Sequence, residues 1–246
     1  MKNSYITDTI AAIATPLGNG GVSIIRISGE NSFKIIDKIF TYHNLNAGRI
    51  YHGRIIENNQ ELDDVIVLPF RSPKSYTGED VIEIHCHGGV YITKKILELV
   101  IQQGARYAEK GEFTKRAFIN GKMDLSQAEA VLDLIHANSE QFAEKSAKNL
   151  FGKLSIEITQ IRQSIMELLS GIIAAVDFPE DVVEPEYEFI ENNIEKILEK
   201  INYILSFSKS SNVFRQGIKI VLAGRPNVGK SSLFNALLNF NIVIFT

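Results

Sequence analysis

The chain has 246 residues, 45% of them hydrophobic and 22% charged, with a formal net charge of −3. That composition supports a packed core and excludes a global basic field that would pull the chain onto nucleic acid, so any RNA contact must be local or supplied by a partner. The single cysteine, Cys86, excludes an internal disulfide framework and a multi-cysteine metal site. The N-terminus has no signal-peptide pattern and no run approaches the ~20 apolar residues of a membrane span, so no membrane role is expected and the cytoplasm is the expected compartment.

Residues 1–120 alternate short strands with short helices, as a compact α/β or α+β domain does. Thr9 to Thr15 is an apolar run ended by Pro16, and Gly18 to Gly21 makes a turn. Val22 to Ser28 follows as a second strand. Glu30 to Phe40 carries Phe33, Ile36 and Ile39 at helical spacing. Tyr51–Ile56 and Val65–Leu68 read as strands, and Pro69 to Gly78 as a loop. Val81 to Cys86 is a further strand, and a helix runs from the His87-Gly88-Gly89 stretch to about Gln102.

Several polar residues stand out in this part. Arg26 sits inside an apolar strand, either as an edge residue whose stem reaches water or as a cation aimed at an anionic ligand. By period two, Val81, Glu83 and His85 share one strand face, which is either solvated or functional. His85 and His87 flank Cys86 and raise a metal site, but no further ligand lies at a recognised spacing. Cys86 itself reads as a small buried hydrophobe.

From Lys122 the pattern becomes helical. Ser126 to Glu129 matches a capping box, with Asp124 just upstream. A long helical stretch follows, in which Ala147, Phe151, Leu154, Ile158, Ile161, Ile165, Leu168 and Ile172 step by four and three. The chain is expected to turn back at Asp177 to Asp181 and return over about Pro185 to Phe207, as in an antiparallel bundle. The acidic residues of that turn and the helix start after it suit a helix N-terminus. Ser206 to Asn212 reads as a serine-rich joint.

Near the end stands Gly224-Arg225-Pro226-Asn227-Val228-Gly229-Lys230-Ser231, a complete G-x-x-x-x-G-K-[ST] pattern. A β-branched run, Ile218 to Ala223, precedes it, and Ser232 to Leu238 reads as the first turns of a helix. Strand, glycine loop and helix together point backbone N–H groups at phosphate oxygens. Lys230 would reach the β- and γ-phosphates and the Ser231 hydroxyl would hold Mg²⁺. Fifteen residues follow Ser231, too few for the further strands, switch elements and base-reading loop of a P-loop domain. Residues 217–246 are therefore expected to expose apolar faces, and no GTP turnover is expected of this chain alone.

The combination resembles the tRNA modification GTPase family MnmE, also called TrmE. The stretches that carry the resemblance are Gly20 to Gly29, Tyr76 to Glu83 with His87-Gly88-Gly89, Gly111 to Phe118, Gly121 to Ala130, Asp177-Phe178-Pro179 and the P-loop. They occur in the family order along the whole chain. The resemblance implies three parts: an N-terminal tetrahydrofolate-binding-like domain that forms a homodimer (1–120), the first half of a helical bundle domain (121–215) and the start of a P-loop GTPase domain (216–246).

By position, the resemblance assigns Arg26, Glu83 and Lys122 to a folate such as 5-formyltetrahydrofolate. It assigns Asn227, Val228, Gly229, Lys230, Ser231 and Ser232 to GTP or GDP, Ser231 to Mg²⁺, and Asn227 and Thr246 to K⁺. A cation suits the folate glutamate tail and a carboxylate can accept from the pterin amino group. The family works with the flavoprotein MnmG, in a heterotetramer, to install a carboxymethylaminomethyl or aminomethyl group on the wobble uridine, position 34, of tRNA. The family's Mg²⁺-binding switch threonine, second switch, guanine-reading loop and C-terminal cysteine motif are not found here. Two other readings stand beside the enzyme: a folate-binding dimeric scaffold without hydrolysis, and an inactive remnant.

Overall fold

A computed structural model describes residues 8–181, 183–216, 221–225 and 228–238. The chain divides into two compact units, Met1–Ile135 with Lys145–Thr159, and His136–Glu144 with Gln160–Thr246.

In the first unit, strands of period-two pattern build one six-stranded sheet. Its strands are β1 (Ile10–Ile13), β2 (Val22–Ser28), β3 (Tyr51–Glu57), β4 (Gln60–Phe70), β5 (Val81–His87) and the short β6 (Arg106–Tyr107), and its order is β3-β4-β5-β2-β1-β6. All neighbours pair antiparallel except β1 with β6. Helices α1 (Ser32–Ile39) and α2 (Val90–Gln102) pack on one face. That face buries Ile25, Ile27, Ile82, Ile84, Val65 and Val67 against Phe33, Ile36, Ile39, Ile96 and Val100. Each such side chain removed from water stabilises the fold by about 1.5–3 kcal/mol. Cys86 joins this core, and burial pushes its thiol up from the ordinary value, as expected of an inert apolar cysteine.

The helical spacing of Phe33, Ile36 and Ile39 and the limits of β2 match the sequence expectation, while β5 runs one residue past the expected Cys86, to His87. The strand expected at Val65–Leu68 is longer: β4 spans Gln60–Phe70, and its hairpin partner β3 pairs back as far as Glu57 with Gln60. Cross-strand hydrogen bonds thus carry the polar start of β4, which hydrophobic alternation does not mark. The sequence reading also passed over β6 and helix α3 (Glu112–Ile119).

After α3 come α4 (Leu125–Ile135), α5 (Glu140–Leu150) and α6 (Lys153–Asp177). The start of α4 corrects the expected capping box. The box is Asp124 with Gln127: Asp124 Oδ1 accepts from the Gln127 N–H at 3.0 Å, and Gln127 Oε1 accepts from the Asp124 N–H at 3.0 Å. These are the N-cap and N3 positions, so the register lies two residues before the Ser126–Glu129 reading. A hydrogen bond from the Ser155 hydroxyl holds the Asp124 carboxyl below its ordinary value.

The expected continuous helix is also divided. Ser139 caps α5 by accepting from the Phe142 N–H at 3.3 Å. Gly152, at φ +85°, ends it in a left-handed conformation that glycine adopts without a Cβ penalty. Ala147 of the apolar seam thus lies in α5, Phe151 between helices, and the rest of the seam in α6. In the second unit α6 ends at Asp177 and α7 (Tyr187–Gln216) follows the turn. The joint expected at Ser206–Asn212 is helical, within α7. Serine is a middling helix former, and without glycine or proline it does not stop a helix. Helix α8 (Lys230–Leu238) closes the described chain. Among the described residues no helix is long and apolar enough to cross a membrane.

Candidate functional site

The face of the sheet away from α1 and α2 carries the alternate residues of β2 and β5. Strand register places Ala12, Arg26, Glu83 and Leu68 in one cross-strand row. Arg26 and Glu83 are therefore direct neighbours and form an ion pair. The Arg26 Nε–H donates to Glu83 Oε1 at 2.8 Å, and Nη2 lies 2.8 Å from the same oxygen. Both side chains are half-buried. The other carboxylate oxygen of Glu83 lies 3.4 Å from His85 Nε2. The guanidinium carbon of Arg26 lies 5.0 Å from the centre of the Tyr76 ring and 5.5 Å from that of Phe113, within cation–π range.

Tyr76 comes from the loop between β4 and β5, and Phe113 from the first turn of α3. The Tyr76 hydroxyl and Thr114 Oγ1 are 2.9 Å apart, which ties loop to helix. Arg116, fully buried on the same helix, anchors both. Its Nη2 donates to Asp8 Oδ1 at 2.8 Å and to Glu112 Oε1 at 3.1 Å, and its Nη1 reaches both oxygens of Glu79 at 3.2 Å. Glu79 Oε2 accepts from the Ser28 hydroxyl at 2.6 Å, two residues along β2 from Arg26. Hydrogen bonds from Arg106, then from the Glu109 backbone and Arg116, lower the Glu112 carboxyl to about 2 against the desolvation that raises it.

Lys122 follows α3 and donates from Nζ to the Pro73 carbonyl at 3.0 Å. It also packs against Gly78, where an added Cβ would lie 3.2 Å from Lys122 Cγ. The β4–β5 loop thus touches Arg26 through Tyr76 and Lys122 through Pro73 and Gly78. Of the three residues assigned to folate, Arg26 and Glu83 are in contact and Lys122 joins them through this loop. An acidic ligand suits the row: Glu83 engages the Nε edge of the guanidinium, and the Nη1 side is left for an acceptor.

His87 belongs to a different cluster. Its Nδ1 lies 2.6 Å from Asp63 Oδ1, so that carboxylate raises the imidazole pKa, and the His87 backbone N–H donates to Asp63 Oδ2 at 2.9 Å. Among the described residues no group of three or more His, Cys, Asp or Glu is placed to hold a metal ion.

At the P-loop, Val221 to Ala223 lie in no strand, and the rest of the expected strand, 218–220, lies outside the described residues. A parallel strand needs a neighbour for its N–H and C=O groups, and none of the described strands provides one. Asn227 and Thr246, the K⁺ assignments, also lie outside the described residues. Val228 and Ser232 are exposed, and Gly229 has φ +91°. The Lys230 ammonium donates to its own loop, to Gly224 O at 3.1 Å and Arg225 O at 2.7 Å. The first amides of α8, from Lys230 to Ser232, stand at a helix N-terminus, a suitable anion seat.

Tyr76, Phe113 and Arg116 lie within the stretches that carry the family resemblance, yet they received no role from the sequence. The signal available was the placement of aromatic and charged residues in a loop and a short helix rather than in a core pattern. Beyond the local i,i+4 pair with Glu112, Arg116 finds Glu79 and Asp8, 37 and 108 residues away, which no local pattern encodes.

Comparison with known proteins adds a separate line of argument. Residues 9–122 match the family model described as the GTP-binding protein TrmE N-terminus, and residues 125–239 match that of the MnmE helical domain. The chain is 43% identical over 249 residues to the tRNA modification GTPase MnmE of Clostridioides difficile, covering 98% of this chain and 54% of the relative. It is 45% identical over 246 residues to that of Lactiplantibacillus plantarum, covering 97% and 53%. It is 44% identical over 250 residues to that of Carboxydothermus hydrogenoformans, covering 97% and 54%. The chain spans about half the length of the curated relatives it matches.

Proposed function

The chain belongs to the MnmE (TrmE) family, and on that premise we propose that it serves as part of a tRNA modification GTPase. The observation that carries this reading is identity of 43–45% across nearly the whole chain to relatives that all bear that name. In this reading the protein acts as a homodimer through its N-terminal domain, in the cytoplasm, with the flavoprotein MnmG and tRNA. The product is a carboxymethylaminomethyl or aminomethyl group on the wobble uridine at position 34.

When bound, a folate such as 5-formyltetrahydrofolate would supply the one-carbon unit, and GTP with Mg²⁺ and K⁺ the hydrolysable phosphate. Arg26, Glu83 and Lys122 are the residues for the folate, and Arg26 is the cation suited to its acidic tail. Val228, Gly229, Lys230, Ser231 and Ser232 with Asn227 are the residues for the nucleotide, and GDP would occupy them after hydrolysis. Lys230 would exchange its two loop carbonyls for phosphate oxygens, Ser231 would hold Mg²⁺, and Asn227 and Thr246 would hold K⁺. GTP specificity and turnover need elements beyond these residues.

Nucleoside mass spectrometry of tRNA tests the reading, in cells whose only copy of the gene carries Arg26→Ala or Lys230→Ala. Loss of the modified wobble uridine in both is expected, and full modification in both would refute it. A second reading, a folate-binding scaffold without hydrolysis, is favoured by one observation: Val221 to Ala223 join no strand and Lys230 is engaged by its own loop. It predicts loss with Arg26→Ala alone.

A further inference from the structure

We propose that Tyr76 and Phe113 are positioning residues that, with the Glu83 ion pair, lock Arg26 as a preorganised receptor for the carboxylates of an acidic, folate-like ligand. This rests on the folate reading for the identity of the ligand, but the lock itself rests on geometry. Arginine has a planar fork of donors on a flexible stem, and ordering that stem is a large part of what binding an anion costs. Here the ordering is already done. Glu83 Oε1 takes the Nε–H and faces Nη2, each at 2.8 Å, which fixes one edge of the fork. The rings of Tyr76 and Phe113 stand at 5.0 and 5.5 Å from the guanidinium carbon, within cation–π range, and restrict its remaining freedom. The Nη1 side remains for a ligand. Because Glu83 balances the charge of Arg26, the pair selects by donor geometry and not by net charge.

The rings are themselves held. Phe113 and Thr114 are adjacent on α3, and Thr114 is within 2.9 Å of the Tyr76 hydroxyl. Arg116, one turn later, ties α3 to Glu79 of the Tyr76 loop. Glu79 is tied in turn to Ser28 on the strand that bears Arg26. Loop, helix and strand therefore share one polar network, and its output is the pose of one guanidinium.

The test has two readouts on the full chain. The first is the Nε–Hε resonance of Arg26 by ¹⁵N NMR without ligand, assigned by its loss in Arg26→Lys. A locked Arg26 gives a ring-current-shifted signal that moves to the position of exposed arginines in Tyr76→Leu and Phe113→Leu, moves part of the way in Tyr76→Phe, which loses the tie to Thr114, and stays in Phe113→Tyr. A wild-type signal already at the exposed position overturns the lock, whether or not any folate binds. The second is calorimetric titration with 5-formyltetrahydrofolate. Each leucine variant should weaken binding about 10-fold, Tyr76→Phe less than Tyr76→Leu, and Phe113→Tyr should bind as wild type. Undiminished binding by the double leucine variant overturns the positioning role. No binding by a wild type with the shifted signal overturns the folate reading and upholds the lock.

Discussion

The sheet unit and the helical unit use the same residue types to opposite effect. In the sheet unit Ile25, Ile27, Ile82, Ile84 and Ile96 are fully buried. In the helical unit Ile165, Leu169 and Ile173 of α6 and Phe189, Ile194 and Leu198 of α7 are all at least 45% exposed. The contrast comes from geometry. A sheet presents a broad apolar face that two helices can cover, whereas a long helix with apolar residues on several sides needs several neighbours to bury them. The sheet unit adds a second source of order, the buried Arg116 and its three carboxylates. Stability should therefore be concentrated in the first unit, with smaller openings available to the second.

The largest expected effect comes from removing the buried cation. Arg116→Met leaves Glu79, Glu112 and Asp8 without their shared partner and should cost about 3–5 kcal/mol. Urea unfolding followed by circular dichroism measures it, and a loss under 1 kcal/mol would mean that the network behaves as a surface one.

Acid sharpens the same comparison. The Glu112 carboxyl has a folded value of about 2 against an ordinary 4.5, so the unfolded chain takes up its proton first as pH falls. The stabilisation is fully present above about pH 4.5 and drains away between there and about pH 2. Thermal melts at stepped pH should show the sheet unit weakening over that window, and Glu112→Gln should flatten the dependence. An unchanged slope in that variant would assign the acid response elsewhere.

A matched pair of methylene deletions then compares the two units directly. Ile84→Val in β5 should cost about 0.5–1.5 kcal/mol, and Ile165→Val in α6 no more than about 0.5 kcal/mol, as at other surface positions. Equal losses would show that α6 is covered in solution. A comparably small effect is expected at the start of α4. Gln127→Ala should cost about 0.5–1 kcal/mol through the loss of the capping box, while Glu129→Ala leaves stability unchanged. The reverse order would restore the Ser126–Glu129 register.

The sheet strands were legible because alternation survives in Val22–Ser28 and Val81–His87, where one face is buried and the other is not. Helix α1 was legible because Phe33, Ile36 and Ile39 keep one face. The breaks within the helical stretch were not read, because a seam of apolar residues can continue across Gly152 while the backbone turns there. Nor was the continuity of α7 through Ser206–Asn212, where weak helix formers are carried by the helix around them. At the candidate site, Arg26, Glu83 and Lys122 could be named from the resemblance, and Arg26 and Glu83 also from their odd polarity in apolar strands. Their relation could not, because it depends on the antiparallel register of β2 with β5.

The sequence by itself determined the family, strand β2, the start of β5, helix α1 and the phosphate-loop pattern, since each is written in local spacing and in motif order. Tertiary structure alone decided that Arg26 is spoken for by Glu83, Tyr76 and Phe113, and that Arg116 is the buried tie between loop, helix and Asp8, just before β1. Those partners lie tens of residues apart in the chain, and only pairing of strands and packing of α3 brings their charges within hydrogen-bond reach.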